Sequence, residues 1–143
     1  MYHYTESGLR NVWLTNGYTF KTIDGEAAVA ISGADELHET IGRTLAHKPY
    51  LTGTELRFLR KELGLSQKRL ADLIGSTEQT VSLWERKGRM PRGYDRLIRI
   101  LYLESLDGNV KVQEMIDRLV DLDKRAEEKL VFEDTGNGWK KAA

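Results

Sequence analysis

The spacing of apolar positions predicts strands in the first part of the chain. Asn16-Gly17 is a strong hairpin dipeptide, and Asp24-Gly25 marks a second turn. Three β-prone runs flank these turns, at residues 12–14, 18–23 and 27–31. We therefore predict a three-strand antiparallel meander, which is near the lower limit of independent stability and should pack on helices or on a partner.

After this region the apolar spacing changes to three or four residues, which indicates helices. Ser32 can cap a helix over residues 34–47, and Pro49 follows the end of that helix. Its inward-facing positions recur at four-residue spacing and are Leu37, Ile41 and Leu45.

Three more helices are predicted between residues 52 and 88. Thr52 and Glu55 form a T-x-x-E capping box at the first start, whereas Ser66 and Thr77 can cap the next two helices. The link Gly75-Ser76 is too short for an ordinary antiparallel hairpin and is typical of a helix-turn-helix. In the third helix Val81 and Trp84 face inward, and five side chains face outward: Glu78, Gln79, Ser82, Leu83 and Arg86.

This segment resembles the phage repressor/Cro (XRE) helix-turn-helix family. The matching residues read LSQ-x-x-LA at 65–71 and GSTEQTVSLWER at 75–86, within a resemblance that covers roughly one third of the chain. A broader resemblance links YHYTESGLRNVWLTNG at residues 2–17 and the helix-turn-helix behind it to MqsA/HigA-like antitoxins. Members of the MqsA type carry a zinc module built on cysteines. This chain has no cysteine, so zinc binding does not carry over.

The predicted fold is mainly α with a small N-terminal antiparallel β meander. It combines a lambda-repressor-like helix-turn-helix bundle, completed by a helix around Leu97–Leu103, with a C-terminal helix over residues 110–130. We predict three regions: a meander and helix at 1–49, the DNA-binding domain at 50–106, and a helix with a flexible tail at 107–143.

Charge is distributed unevenly along the chain. Residues 52–99 carry 11 Lys and Arg against 6 acidic residues, a charge of +5, whereas the rest of the chain carries −5. A basic module in an acidic frame is the layout expected of a protein that reads DNA, although a mixed solvated surface would give the same totals.

Composition argues against several other classes. There is no apolar run of the ~20 residues that a membrane helix needs, and the N-terminus lacks the features of a secretory signal. The three histidines show no metal-ligand spacing, and no phosphate-binding glycine loop occurs. We expect a cytoplasmic protein that is not an enzyme and that uses neither a cofactor nor a metal.

By resemblance, the helix that begins after Thr77 reads bases in the major groove. Gln79 can bond adenine in a bidentate manner, and Glu78 can accept from a cytosine amino group or simply complement the helix dipole. The full base-reading set is Glu78, Gln79, Thr80, Ser82 and Leu83. The candidate contacts to the DNA backbone are Gln67, Lys68, Arg69, Thr77, Arg86, Lys87, Arg89 and Arg92.

These observations lead to two functional hypotheses. The first is a sequence-specific repressor of double-stranded DNA, expected to be a homodimer and also a candidate antitoxin with a toxin as protein partner. The second is a protein–protein adaptor that keeps the helix-turn-helix only as a scaffold. A regulator that responds to a small molecule has no support in the sequence, because a ligand pocket cannot be read from it.

Overall fold

The computed structural model describes residues 1–107, 114, 118, 121 and 129–142. Within these residues, five helices form the body of the fold: α1 (Ala34–Ala46), α2 (Gly53–Glu62), α3 (Gln67–Ile74), α4 (Glu78–Lys87) and α5 (Arg92–Asp107). Six short strands pair as three antiparallel two-stranded sheets: β1 (Tyr2–His3) with β2 (Trp13–Leu14), β3 (Tyr18–Ile23) with β4 (Glu26–Ile31), and β5 (Phe132–Asp134) with β6 (Trp139–Lys141). The mainly α fold predicted from the sequence is confirmed.

Local side-chain caps define where the bundle helices begin. The Thr52 backbone N–H donates to Glu55 Oε1 at 2.9 Å, and Thr52 Oγ1 accepts from the Glu55 backbone, which completes the predicted capping box. Ser66 caps α3 and Thr77 caps α4, each accepting from a backbone N–H three residues later. The predicted cap of α1 is wrong, because Gly33 occupies that position in a left-handed conformation and Ser32 makes no cap.

Among the described residues, one apolar core joins α1 to the four helices that follow. Its fully buried members come from different elements and include Leu51, Leu56, Leu59, Leu70, Val81 and Ile98. Leu45 and Ala46 of α1 belong to the same cluster, as does Leu9 from the N-terminal segment. The predicted boundary between residues 49 and 50 remains a prediction, but the core itself continues across it.

Two glycines allow helices to approach closely. At Gly53 an added Cβ would lie 2.4 Å from the backbone oxygen of Glu85, so the start of α2 abuts the backbone of α4. At Gly42 the added atom would lie 2.0 Å from the hydroxyl of Tyr102, whose ring packs between α1 and α5. Burial raises the pKa of Tyr102 to about 12, so this phenol stays neutral.

The predicted three-strand meander is not formed. β3 and β4 make a hairpin in register from Tyr18↔Ile31 to Ile23↔Glu26, but the run at 12–14 pairs with residues before it. His3 stacks on Trp13 with ring centroids 4.1 Å apart, and the Tyr4 N–H donates to the Val12 carbonyl. β2 therefore pairs with β1, which comes from the polar first residues, and not with β3 as the meander requires.

Two side-chain hydrogen bonds connect this N-terminal segment to α1 and α2. The buried Tyr4 hydroxyl lies 2.8 Å from His38 Nε2 on α1, and His38 Nδ1 lies 2.9 Å from Glu62 Oε1 on α2. Burial is the main cause that raises the pKa of Tyr4. Three elements separated in sequence are thus joined through one imidazole ring.

At the C-terminus the predicted helix over 110–130 falls largely outside the described residues; Glu114, Arg118 and Asp121 are helical and exposed. Where the sequence predicts a flexible tail, the structure has the β5–β6 hairpin. Its turn forms because Asp134 Oδ1 accepts from the Gly136 N–H, and the Thr135 N–H donates to the Gly138 carbonyl. Among the described residues, no helix has both the length and the apolar character needed to cross a membrane.

Candidate nucleic-acid interface

The α3–α4 pair has the geometry of a helix-turn-helix. Gly75 follows α3 as its C-cap and adopts φ 75°, and the Ser76 N–H donates to the Ala71 carbonyl at 2.9 Å. Ala71 is almost fully buried and is small enough for α4 to pack against it. The inner face of α4 consists of the buried Val81 and Trp84, so the opposite face is left toward solvent.

The base-reading residues predicted from the sequence are partly exposed. Glu78 and Gln79 are exposed in the first turn of α4, and neither side chain makes a hydrogen bond within the described residues. The Thr80 hydroxyl is 2.8 Å from Thr77 Oγ1, so it takes part in the helix cap. Ser82 is half-buried, whereas Leu83 is 41% exposed. The tip of α4 is therefore a polar, solvent-facing surface with an apolar side chain beside it.

Most of the predicted backbone-contacting residues are exposed cations at several points around α4. Lys68 and Arg69 lie in the first turn of α3, and Arg92 begins α5. Arg86 and Lys87 lie at the far end of α4, roughly 10–12 Å from Gln79 along the helix axis at about 1.5 Å per residue. Contacts to bases and to phosphates would thus be made at separate ends of the helix.

The Arg89 side chain packs on an aromatic residue that the sequence did not single out. Its guanidinium lies 4.3 Å from the centroid of the Tyr50 ring, and Tyr50 is itself partly exposed. Of the 11 basic residues in 52–99, only Arg60 and Arg99 are ion-paired within the described part of the chain. The positive charge of this surface is therefore largely uncompensated locally.

A nearly buried ion pair between Arg60 and Glu85 connects α4 to α2. Arg60 Nε and Nη2 donate to Glu85 Oε2 and Oε1 at 2.7 and 3.0 Å, and Nη1 donates to the Leu65 carbonyl at 2.9 Å. Gln67 Nε2 also approaches Glu85 Oε1, at 3.3 Å. Arg60 therefore belongs to the packed contact between α2 and α4 and is not an ordinary surface cation. Arg86 pairs with neither Glu85 nor Asp95, because Arg60 and Arg99 occupy these two carboxylates.

A second buried carboxylate fixes α5 against the start of the bundle. Asp95 Oδ2 accepts from the Leu51 N–H at 2.7 Å, and Oδ1 accepts from Arg99 Nε at 2.6 Å. Sequence spacing contained a signal for Arg60, since it lies four residues after the buried Leu56 on the inward stripe of α2. Asp95 carries a similar signal, since it lies three residues before the buried Ile98 and four before Arg99 on α5.

The described residues contain no group of three or more His, Asp or Glu side chains that could hold a metal ion. A groove lies between the N-terminal segment, α1, the start of α2 and the end of α4. Its lining includes Arg86 and Lys87, so it adjoins the candidate DNA-binding surface.

Comparison with models of protein families gives a match to the helix-turn-helix segment. Residues 56–94, less than half of the chain, match a family model described as helix-turn-helix. The match runs from the middle of α2 through α3 and α4 into the first turn of α5. The comparisons with curated proteins and with solved structures gave no match.

Proposed function

We propose that residues 56–94, which match a helix-turn-helix family model, are the DNA-binding part of an XRE/Cro-C1-type regulator, and that the protein is a sequence-specific repressor. α4 enters the major groove of double-stranded DNA, where an α-helix fits and its N-terminal residues reach base edges. The observation that carries this proposal is the exposed, unpaired Glu78 and Gln79 at the capped start of a helix whose other face is buried.

The side chains along α4 differ in what they can recognise. Gln79 presents both an acceptor and a donor and suits adenine N6 and N7. Glu78 accepts from a cytosine amino group or complements the positive helix start. Ser82 and Leu83 lie one turn further along, where Leu83 can contact a thymine methyl. Thr80 contributes mainly through the cap that it shares with Thr77.

Phosphate contacts would come from the cations around the helix. Lys68 and Arg69 at the start of α3 support one DNA strand, together with the amide of Gln67. The cations at the end of α4, in the loop that follows and at the start of α5 would contact the other strand: Arg86, Lys87, Arg89 and Arg92. Their uncompensated charge makes binding depend strongly on salt.

One recognition helix covers only a few base pairs, so we propose a homodimer on two half-sites about 34 Å apart. The candidate dimer surfaces are the N-terminal strands and the segment 110–130. An antitoxin role is a further proposal within this function, and it requires a toxin partner. Co-purification of a second protein expressed from a neighbouring gene tests that role. We propose no enzymatic activity for this chain.

The adaptor hypothesis is favoured by exposed apolar side chains on the hairpins. Phe20 is 65% exposed on β3 and Trp139 is 75% exposed on β6. Such side chains suit protein contacts rather than DNA. A fluorescence titration with mixed genomic DNA fragments at low salt separates the two functions, since an adaptor would not bind any fragment.

We expect Gln79→Ala to weaken binding to a selected operator by about 1–3 kcal/mol while binding to random DNA stays nearly unchanged, because only base readout is lost. Operators are first selected from a random oligonucleotide pool, and both DNAs are then titrated at one salt concentration. The thermal midpoint should not change, since Gln79 is exposed and makes no side-chain hydrogen bond within the described residues. Equal binding of parent and variant to the operator would exclude α4 as the reading element.

Arg92→Ala should weaken operator and random DNA alike. Loss of one phosphate contact makes the slope of log K against log salt shallower by about 0.9. Arg57→Ala is the matched control, because Arg57 is an exposed cation on α2 outside the proposed surface. A salt slope that is unchanged in Arg92→Ala, or reduced equally in Arg57→Ala, would remove Arg92 from the interface.

A further inference from the structure

The groove beside the end of α4 has the size and chemistry of a ligand site. Its volume is about 760 Å³, within the range of about 300–1,000 Å³ that small-molecule pockets occupy. Four segments that are distant in sequence form its walls: the N-terminal stretch 9–13, the second half of α1, the first turn of α2 and residues 85–88.

One wall of this groove is apolar and already held in place. Leu9 and Leu45 are buried members of the core, and Val12 and Ile41 pack against it. The indole of Trp13 lines the same space and is fixed from its other side by stacking on His3. A flat or aliphatic group could therefore be covered without rearrangement of the fold.

The charged side chains that line the groove leave an excess of positive charge. The two lining carboxylates are already neutralised, Glu55 by Lys48 at 2.7 Å and Glu85 by Arg60 at 2.7 Å. The other lining cations have no ion pair within the described residues; they are Arg10, Arg86 and Lys87. An occupant that combines an apolar body with a negative group matches both features.

We propose that this groove binds a small organic anion, a carboxylate on an aromatic or aliphatic body, and that binding releases DNA. The release depends on the proposed repressor function, because Arg86 and Lys87 serve both the groove and the DNA backbone. An anion that engages these two cations competes with phosphate for them. By reciprocity, DNA lowers the affinity for the anion by the same factor that the anion lowers the affinity for DNA.

The test titrates the full chain without DNA, using naphthalene-2-carboxylate and its neutral amide in calorimetry. We expect saturable binding of one carboxylate per chain and at least roughly tenfold weaker binding of the amide. Arg10→Gln and Thr44→Phe, which remove a groove cation and fill the groove from an exposed helix position, should each weaken binding by a similar factor. Lys21→Gln, the same charge change on β3 outside the groove, should not.

A second arm repeats the operator titration with saturating carboxylate. We expect the parent to lose affinity for DNA by roughly five- to 150-fold, and Thr44→Phe to be insensitive. The proposed site is overturned if binding of the carboxylate does not saturate at millimolar concentration, or if both groove variants bind the carboxylate like the parent. Release is overturned if the carboxylate binds but operator affinity stays unchanged. A chain that never binds DNA contradicts the repressor proposal, whereas the first arm still decides the site.

Discussion

Replacing Glu85 by alanine lowers the free energy of unfolding by about 3–5 kcal/mol, because it leaves the Arg60 guanidinium nearly buried without its partner. The two side chains are only 4% and 11% exposed, so water cannot compensate for the lost carboxylate. Gln67 loses its partner in the same substitution. Urea unfolding followed by circular dichroism measures the effect, with the slope of the transition unchanged if the compact state is retained.

The paired replacement Arg60→Met with Glu85→Leu is the control. It removes both charges and keeps apolar volume, so it should recover most of the lost stability. If Glu85→Ala unfolds at the same urea concentration as the parent, the ion pair does not hold α4. If the double variant is as unstable as the single one, packing around Arg60 rather than the unpaired charge accounts for the loss.

Gly53→Ala is expected to destabilise the protein by about 1–3 kcal/mol and to weaken operator binding, because the new methyl group overpacks the α2–α4 contact. It would meet the backbone of Trp84 and Glu85, which cannot rotate away as a side-chain end could. α4 must then shift relative to α2, and the base-reading residues proposed on it shift with it. Thermal or urea unfolding gives the first effect, and an operator titration gives the second.

Gly93→Ala provides a matched control for this prediction. Gly93 lies in the first turn of α5, and an added Cβ there would have no neighbour within 4 Å. Alanine is the better helix former by about 1 kcal/mol, so this variant should be neutral or slightly more stable. A stable Gly53→Ala with full operator affinity would show that the close approach at Gly53 has no role in placing α4.

Local sequence signals predicted the helical part of the fold well. Thr52, Ser66 and Thr77 act on backbone groups within three residues, so their caps could be read directly from the sequence. Gly75 marks the turn for an equally local reason, since its left-handed conformation ends α3. The same locality explains why the outward face of α4 could be predicted.

Features that join distant residues could not be predicted in this way. Arg60 and its carboxylate partner are 25 residues apart, and His38 is 34 residues from Tyr4. The predicted meander was wrong for the same reason. β2 pairs with residues 2–3, and nothing within residues 12–14 identifies that partner strand. The groove could not be predicted from the sequence, because four separate segments form it.

The contact between Gln67 and Glu85 bears on the entropy of DNA recognition. A carboxylate oxygen accepts only, so it keeps the amide nitrogen of Gln67 directed toward it and limits the rotamers of that side chain before any DNA arrives. Freezing a free side chain on binding costs about 0.5–1.5 kcal/mol. Gln67 has already lost part of that freedom on folding, so a phosphate would meet a donor whose orientation is set in advance.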